Sequence, residues 1–387
     1  MTRIYLDHAA TTPMVPAAVA AMTRELTRVG NASSLHGSGR AARRVVEDAR
    51  ELLAARVGAR PVELIFTAGG TESDNLAVKG AYWARREPTR RRVVTSTIEH
   101  HAVLDSAAWL AAAEGAELDL IPVDAQGRLD LVAAGRLVDE RTAVVSVMAG
   151  NNEVGTRQPV TEVARLAAEV GAVSHSDAVQ AVGHVPVDFA ASGLDLMTFT
   201  AHKLGGPYGV GALLARRETA LASVQHGGGQ ERDVRSGTLD VAAVAAFAAA
   251  VEVAVADLAA EETRIRALRA ELLAGVTATV PDVVLHGATA AADTLPGITN
   301  LAFPGCSADS VLMLLDAAGI DCSAGSACSA GVAQASHVLT AMGVPEADAR
   351  ASLRFSLGRG STRADVRALV AALPEAVARA RAAAAFV

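Results

Sequence analysis

Between residues 62 and 214 the chain alternates short β-type runs with stretches of helical length, and this alternation is the strongest constraint on its fold. Runs rich in Val, Ile, Leu, Thr and Phe have the length and composition of buried strands. They are VELIFT (62–67), RVVTST (92–97), LDLIPV (118–123), TAVVSVM (142–148), GAVSHSD (171–177) and LDLMTFT (194–200). The alternation predicts an α/β fold with a mostly parallel sheet flanked by helices, which binds ligands beyond the carboxyl ends of its strands.

The pattern changes in the last third of the 387-residue chain. A long Ala-rich helical region at about 240–275 leads into shorter strand and helix patterns, and RFSLGR at 354–359 is predicted to be a strand. We therefore predict a large domain at residues 14–258. A smaller α+β domain is predicted to combine residues 1–13 with residues 259–387.

Composition argues against several classes of function. The net charge of −7 disfavours a nucleic-acid surface, which needs clustered positive charge. The longest charge-free apolar run, VAAVAAFAAAV at 241–251, is too short to cross a bilayer, and the first residues do not resemble a signal peptide. The three cysteines form no C-x-x-C pair. We expect a cytoplasmic protein with reduced thiols and no direct contact with nucleic acid or membrane.

Lysine is rare in this chain, which has only Lys79 and Lys203 among 35 basic residues. Lys203 follows the predicted strand LDLMTFT and precedes a Gly-rich turn. Arginine cannot replace lysine where a neutral amine must form a carbon–nitrogen double bond, because guanidinium effectively never loses its proton. Lys203 is therefore a candidate Schiff-base lysine, with a solvated loop lysine as the alternative. Lys79 lies in a helical pattern and is interpreted as structural.

Other candidate residues also follow predicted strands. The Gly pair and Thr71 in TAGGTESDN could bind a phosphate at a helix N-terminus, or Thr71 could form a capping box with Asp74. Asp177 could hold a protonated ring nitrogen or cap a helix. Thr200 and His202 could complete a phosphate site.

Two further polar residues, His100 and Asn152, occur at the ends of other predicted strands. A metal site would need a spacing such as His-x-x-x-His, which is absent around His100, so no metal ligands are predicted.

Cys328 lies among small residues in DCSAGSACSAGVAQAS. Such a segment is predicted to be mobile and able to carry the thiol over a distance, although an incidental cysteine in a Gly/Ser connector is the alternative. Cys306 and Cys322 are interpreted as structural cysteines.

Taken together, the ordered motifs resemble those of group I cysteine desulfurases. The motifs are YLDHAATTP, TAGGTESDN, IEHHAV, NNEVG, SDAVQAVG, TAHKLGGPYGVG, RSGTLD, GSACSAG and RFSLGR, between residue 4 and about residue 360. That family has fold type I and depends on pyridoxal 5′-phosphate (PLP).

The resemblance implies a role for each candidate residue. Lys203 would be the Schiff-base lysine, Asp177 would hold the pyridinium N–H, and His100 would stack on the ring and shuttle protons. The other implied contacts are Gln180 and Asn152 with the ring O3′, Gly70, Thr71, Thr200 and His202 with the phosphate, Thr238 of a second subunit with the phosphate, and Arg354 together with Asn152 at the substrate.

The implied reaction removes sulfur from L-cysteine. The freed amine of Lys203 would take the Cα proton, and the Cys328 thiolate would attack the substrate sulfur to give a persulfide and alanine. A homodimer and a sulfur-acceptor protein, either an iron–sulfur scaffold or a tRNA-thiolation relay, are the implied partners.

Some positions depart from the family pattern. Gly70 replaces a frequent Ala, Ala201 a frequent Gly, and Tyr208 a frequent basic residue. The ending RARAAAAFV lacks the aromatic, acidic tail of members that dock a scaffold there, so the identity of the sulfur acceptor stays open.

The alternative functions are those of a selenocysteine lyase, an aminotransferase, which would not need Cys328, and a non-catalytic scaffold.

Overall fold

The computed structural model describes residues 3–324 and 335–384. The strands are β1 (Ile4–Tyr5), β2 (Leu64–Thr67), β3 (Arg92–Ser96), β4 (Glu117–Ile121), β5 (Thr142–Ser146), β6 (Val173–Asp177), β7 (Leu196–Thr200), β8 (Gly211–Ala215), β9 (Val284–His286), β10 (Ile298–Ala302), β11 (Ile320–Asp321), β12 (Ser323–Ala324) and β13 (Ser352–Ser356).

Helices precede, connect and follow these strands. They are α1 (Pro16–Leu26), α2 (Gly37–Arg56), α3 (Gly70–Asn75), α4 (Ala81–Arg85), α5 (His101–Glu114), α6 (Leu131–Leu137), α7 (Val160–Val170), α8 (Phe189–Ser192), α9 (Val241–Ala256), α10 (Leu258–Thr279), α11 (Ala308–Ala317), α12 (His337–Ala341), α13 (Glu346–Arg350) and α14 (Arg363–Ala384). A π-helical segment, Leu76–Gly80, joins α3 to α4.

The central sheet has the strand order β2-β8-β7-β6-β5-β3-β4, and its strands are parallel except for β8. The α/β prediction and its six strands are confirmed, with ends shifted by a few residues. Every residue of β5, β6 and β7 is buried, as expected for inner strands covered by helices on both faces. The edge strand β4 is partly exposed, and it carries Glu117 and Asp119, charges that discourage pairing with another chain.

Two details differ from the sequence prediction. The strand β8 was not predicted, because GALLA directly follows a Gly-rich turn that obscured its start. The predicted Ala-rich helical region is divided into two helices, α9 and α10, which meet at 72° around Asp257. The uniform Ala composition gives no signal for this break.

A smaller antiparallel sheet, in the order β12-β13-β10-β9, packs with α10, α11 and α14 around a separate apolar core. The short strand β1 pairs with β11 of that region. From β1 the chain continues through Leu6, in the smaller core, to Ala9, in the core of the large sheet. The division at residues 13/14 and 258/259 stays a prediction.

Within residues 3–324 and 335–384, no single helix is both long and apolar enough to cross a membrane. By length and composition alone, the bent pair α9 and α10 passes that test together.

Candidate active site

A cavity of about 990 Å³ opens at the carboxyl edge of the central sheet. The connections from β3 and from β5 leave in opposite directions across the sheet, and ligands of open α/β sheets bind at such a reversal. Of the predicted site residues in the described part of the chain, all except Thr238 line the cavity. They are Gly70, Thr71, His100, Asn152, Asp177, Gln180, Thr200, His202, Lys203 and Arg354.

Lys203 lies in a 3₁₀ turn, Ala201–Lys203, directly after β7. Its Nζ donates hydrogen bonds to the carbonyl oxygens of Ala9 at 2.7 Å and Ala10 at 2.8 Å. Burial, reinforced by the positive charge of Arg354, lowers the pKa of Lys203 to about 8. An amine with this pKa is partly unprotonated near neutral pH, which makes it a nucleophile and a base.

Asp177 ends β6 and is buried, with 6% of its surface exposed. Its Oδ1 accepts a hydrogen bond of 2.8 Å from the backbone N–H of Val179. Burial raises the pKa of Asp177, whereas this N–H and the positive charge of Lys203 favour its ionised form. A carboxylate in this setting can hold a cationic ring nitrogen.

His100 is the N-cap residue of α5, and its Nδ1 accepts a hydrogen bond of 3.1 Å from the backbone N–H of Ala102. Burial lowers the pKa of His100, partly offset by the negative charge of Asp177. The imidazole is therefore neutral near pH 7. Because Nδ1 accepts, the free Nε2 carries the proton.

The glycines before α3 shape one wall of the cavity. Gly69 is the N-cap residue with φ of 151°, and no side chain caps this helix. The capping box between Thr71 and Asp74 is thus absent, which leaves Thr71 among the residues that line the cavity. A Cβ on Gly211 would lie 2.8 Å from the Cα of Gly69, so the backbones approach too closely for a side chain there.

His202 lines the cavity together with Thr71 and Thr200. Burial, with a smaller effect from the charge of Lys203, lowers the pKa of His202 to about 4, so the ring is a neutral donor. Tyr208 stacks on His202, with ring centroids 5.7 Å apart. The departure at position 208 therefore supplies an aromatic contact in place of a charge.

Arg354 occupies the middle of β13, in the smaller sheet, and its side chain is 7% exposed. Its Nη2 donates to Asp7 Oδ1 at 2.8 Å, and its Nη1 donates to the carbonyl oxygen of Asn152 at 2.9 Å. The Nε of Arg354 is buried and has no hydrogen-bond partner among the described residues. An arginine held this way can bind an anion such as a carboxylate.

Sequence reasoning missed the contribution of the N-terminal segment. The carbonyl oxygen of Ala9 accepts hydrogen bonds from Lys203 and from Gln180, the latter at 2.8 Å, and Asp7 binds Arg354. The motif YLDHAATTP was noted only as part of a resemblance. Backbone carbonyl groups of alanine residues carry no residue-type signal that could have revealed this contact.

Cys322 also lines the cavity, although the sequence interpretation made it structural. Burial raises the pKa of the Cys322 thiol to about 12, with smaller contributions from Asp7 and Asp321. The thiol is therefore protonated and a poor nucleophile near neutral pH. Cys306 lies in the smaller core and is not part of the cavity lining.

Thr238 was predicted to reach the phosphate from a second subunit, and it does not line the cavity of its own chain. It is exposed, just before α9. Cys328 lies outside the described residues. The described residues on either side of that part of the chain, Ala324 and Ala335, both line the cavity.

Lys79, which the sequence analysis interprets as structural, contacts an aromatic ring. Its Nζ lies 4.6 Å from the centre of the Trp109 ring, in a cation–π contact. Lys79 is not a lining residue.

The donor set fits an anionic pyridine cofactor that carries a reactive carbonyl group. One cavity is lined by an amine of lowered pKa, a buried carboxylate and a neutral imidazole. Glycine residues and hydroxyl groups form another part of its wall. Among the described residues, no cluster of three or more His, Cys, Asp or Glu side chains could hold a metal ion.

Similarity to known proteins covers nearly the whole chain. The family model described as aminotransferase class-V matches residues 4–369. An IscS-like cysteine desulfurase of Mycobacterium tuberculosis is 57% identical over 384 residues, which cover 98% of each chain. A cysteine desulfurase of Gluconacetobacter diazotrophicus is 42% identical over 98% of this chain and 95% of that protein. A solved structure described as a NifS-like protein has a TM-score of 0.88 and 33% identity, with both chains covered completely.

Proposed function

The chain belongs to the aminotransferase class-V family, and from this membership we propose that it is a PLP-dependent cysteine desulfurase. It converts L-cysteine to L-alanine and leaves the sulfur as a persulfide on Cys328. The observation that carries the proposal is the pairing of Lys203, whose pKa is lowered to about 8, with the buried carboxyl of Asp177 in one cavity.

The residues that line the cavity have the chemistry to hold this cofactor. Lys203 would bind its carbonyl carbon, Asp177 its ring N–H, and His100 its ring face. Asn152 and Gln180 would hydrogen-bond O3′, and Gly70, Thr71, Thr200 and His202 would bind the phosphate, joined by Thr238 of a second subunit. When bound, the cofactor supplies an electron sink for the negative charge that develops on the substrate carbon.

Substrate orientation depends on Arg354, whose unpartnered Nε supports a role in binding the carboxylate of L-cysteine. Asn152 would contribute to the same binding. The amine of Lys203, with a pKa of about 8, can take the Cα proton and return a proton to the product. The neutral imidazole of His100 can donate its Nε2 proton during the same sequence.

Sulfur transfer requires a thiolate. The Cys328 thiolate would attack the substrate sulfur, so that a sulfur–sulfur bond forms and the carbon–sulfur bond breaks. The electron pair stays with the substrate carbon, which is protonated to give alanine. The balance is one L-cysteine and one enzyme thiol giving one alanine and one enzyme persulfide.

Cys328 is the proposed nucleophile in preference to Cys322. The buried Cys322 has a pKa of about 12 and is almost entirely protonated near neutral pH. Residues on both sides of the segment that contains Cys328 line the cavity, which supports delivery of its thiol to the substrate.

The test is incubation of the PLP-loaded protein with L-cysteine, followed by assays for alanine and by peptide mass spectrometry for the persulfide. We expect stoichiometric persulfide on Cys328. Cys328→Ser should keep the yellow colour but release no sulfide without an added thiol, whereas the matched variant Cys322→Ser should keep its activity. Persulfide on Cys322, or full activity of Cys328→Ser, contradicts the assignment of the nucleophile.

Borohydride reduction of the yellow protein tests the lysine separately. The reduced pyridoxyl adduct is expected on Lys203, and its recovery on Lys79 contradicts the proposal. We further propose a homodimer, a sulfur-acceptor protein as partner and a cytoplasmic location.

A further inference from the structure

A layer of polar side chains lies beneath Asp177 in the central sheet, and the proposed chemistry does not use it. Ser146 on β5, His175 on β6 and Thr198 on β7 are all fully buried. Asp74 reaches the layer from α3, and its side chain is 2% exposed. Buried polar groups are costly without partners, so such a layer needs a reason.

His175 is the centre of this layer. Its Nδ1 lies 2.8 Å from Ser146 Oγ, and its Nε2 lies 3.1 Å from Thr198 Oγ1. Burial lowers the pKa of His175 to about 3, so its ring is neutral. Hydroxyl groups, which both donate and accept, satisfy either tautomer of a neutral ring.

Asp74 has no cationic partner in this layer. Its Oδ1 has no hydrogen-bond partner among the described residues, and it lies 3.7 Å from the Nε2 of the neutral His175. Besides the hydroxyl group of Thr198, the groups that influence its pKa are two further carboxyls, those of Asp177 and Glu99. Burial and these like charges raise the pKa of Asp74 well above its ordinary value.

Asp177 has the opposite surroundings. It accepts the backbone N–H of Val179, and Lys203 supplies positive charge on its cavity side. Of two buried carboxyls that share a site, the one with donors and cations ionises and the other keeps its proton.

We propose that Asp74 and His175 are positioning residues for Asp177, forming an uncharged layer that leaves Asp177 as the single carboxylate beneath the cofactor ring. This inference rests on the proposed function, because it assigns Asp177 to a ring nitrogen. A second negative charge in the layer would raise the pKa of Asp177 and weaken its hold on that nitrogen as a carboxylate. His175 contributes by orienting Thr198 toward Asp74.

Infrared spectroscopy of the cofactor-free protein tests the charge states without reference to activity. Asp74→Asn should remove one carbonyl band of a protonated carboxyl group at pH 7, whereas Asp177→Asn should remove none. Glu99→Gln is the matched control. Glu99 is also buried, accepts from Ser96 and Met148, and has a pKa raised to about 8, so its substitution should remove a different band. Unchanged protonated-carboxyl bands in Asp74→Asn would overturn the proposal.

A titration of the absorbance of the bound cofactor tests the positioning role. The titration midpoint gives a proton dissociation constant for the bound cofactor. Asp74→Asn should change this constant by less than about twofold, because a neutral amide replaces a neutral acid. His175→Leu should change this constant by at least about threefold. His175→Gln, which keeps a neutral donor and acceptor, should restore the value of the unsubstituted protein. Equal shifts in the Leu and Gln variants would overturn the role of His175. If PLP does not bind, the proposed function fails, while the infrared result still tests the charge of Asp74.

Discussion

The buried ion pair between Arg50 on α2 and Glu231 tests how burial determines the contribution of an ion pair to the free energy of unfolding. The two side chains are 9% and 2% exposed. Their contacts are bidentate, with Nη1–Oε2 and Nη2–Oε1 distances of 2.8 and 2.7 Å. Glu231 Oε2 also accepts the backbone N–H of Phe66 at 2.9 Å. This pair therefore anchors the segment before Thr238 to α2 and β2.

Glu231→Ala is expected to be strongly destabilising. Breaking a buried pair costs about 3–5 kcal/mol, and the lower end applies here because Arg50 Nε keeps its contact with Glu47 Oε2 at 3.0 Å. The Phe66 N–H also loses its acceptor, which adds about 1–3 kcal/mol when a buried donor stays unpaired. We therefore expect a loss of about 4 kcal/mol or more in the free energy of unfolding. With an m-value of about 3 kcal/mol/M in urea, the midpoint falls by about 1.3 M.

The matched control is Glu346→Ala, which removes a surface pair with the same N–O distance. Arg350 Nη2 lies 2.7 Å from Glu346 Oε1, but these side chains are 54% and 68% exposed. Solvent screening reduces such a pair to about 0.3–0.5 kcal/mol. Urea unfolding followed by circular dichroism measures both variants. Equal losses would refute the argument that burial, and not distance, sets the cost.

A double variant separates the ion pair from the packing around it. Arg50→Met combined with Glu231→Leu removes both charges and fills most of the volume. We expect it to be more stable than Glu231→Ala, because no isolated charge remains buried. A double variant less stable than the single one would show that packing, not charge, dominates the site.

The remaining predictions concern titration and the second lysine. Arg354→Leu should raise the pKa of Lys203 above about 8 by removing a positive neighbour, seen as a higher midpoint in the pH dependence of PLP loading; no shift would contradict this. Burial raises the pKa of Glu153 to about 7, above about 4.3 in the unfolded chain, so stability falls by about 1.4 kcal/mol per pH unit as pH rises between these values. Glu153→Gln should flatten this slope in urea midpoints at pH 5 and 7, and an unchanged slope would contradict the shift. Lys79→Arg should keep the cation–π contact with Trp109 and full activity, whereas Lys203→Arg should abolish covalent PLP binding; loss of activity in Lys79→Arg would contradict the structural interpretation.

Local patterns were sufficient for most of the fold. The six predicted strands form because runs of apolar and β-branched residues recur between helical patterns, and this information lies within each segment. The strand β8 and the break at Asp257 were missed because a Gly-rich turn and a uniform Ala composition hide the boundary.

The sequence by itself determined which side chains follow the parallel strands, and hence that Lys203 and Asp177 share one edge of the sheet. Only the tertiary structure decided their surroundings: the carbonyl oxygen of Ala9 on Lys203, the buried thiol of Cys322, and the approach of Asp74 to His175. The positions of the strands along the chain follow from periodicity within each segment. The burial and the pKa of a site residue depend on groups that lie far apart in the chain. No local sequence pattern shows that these groups come into contact.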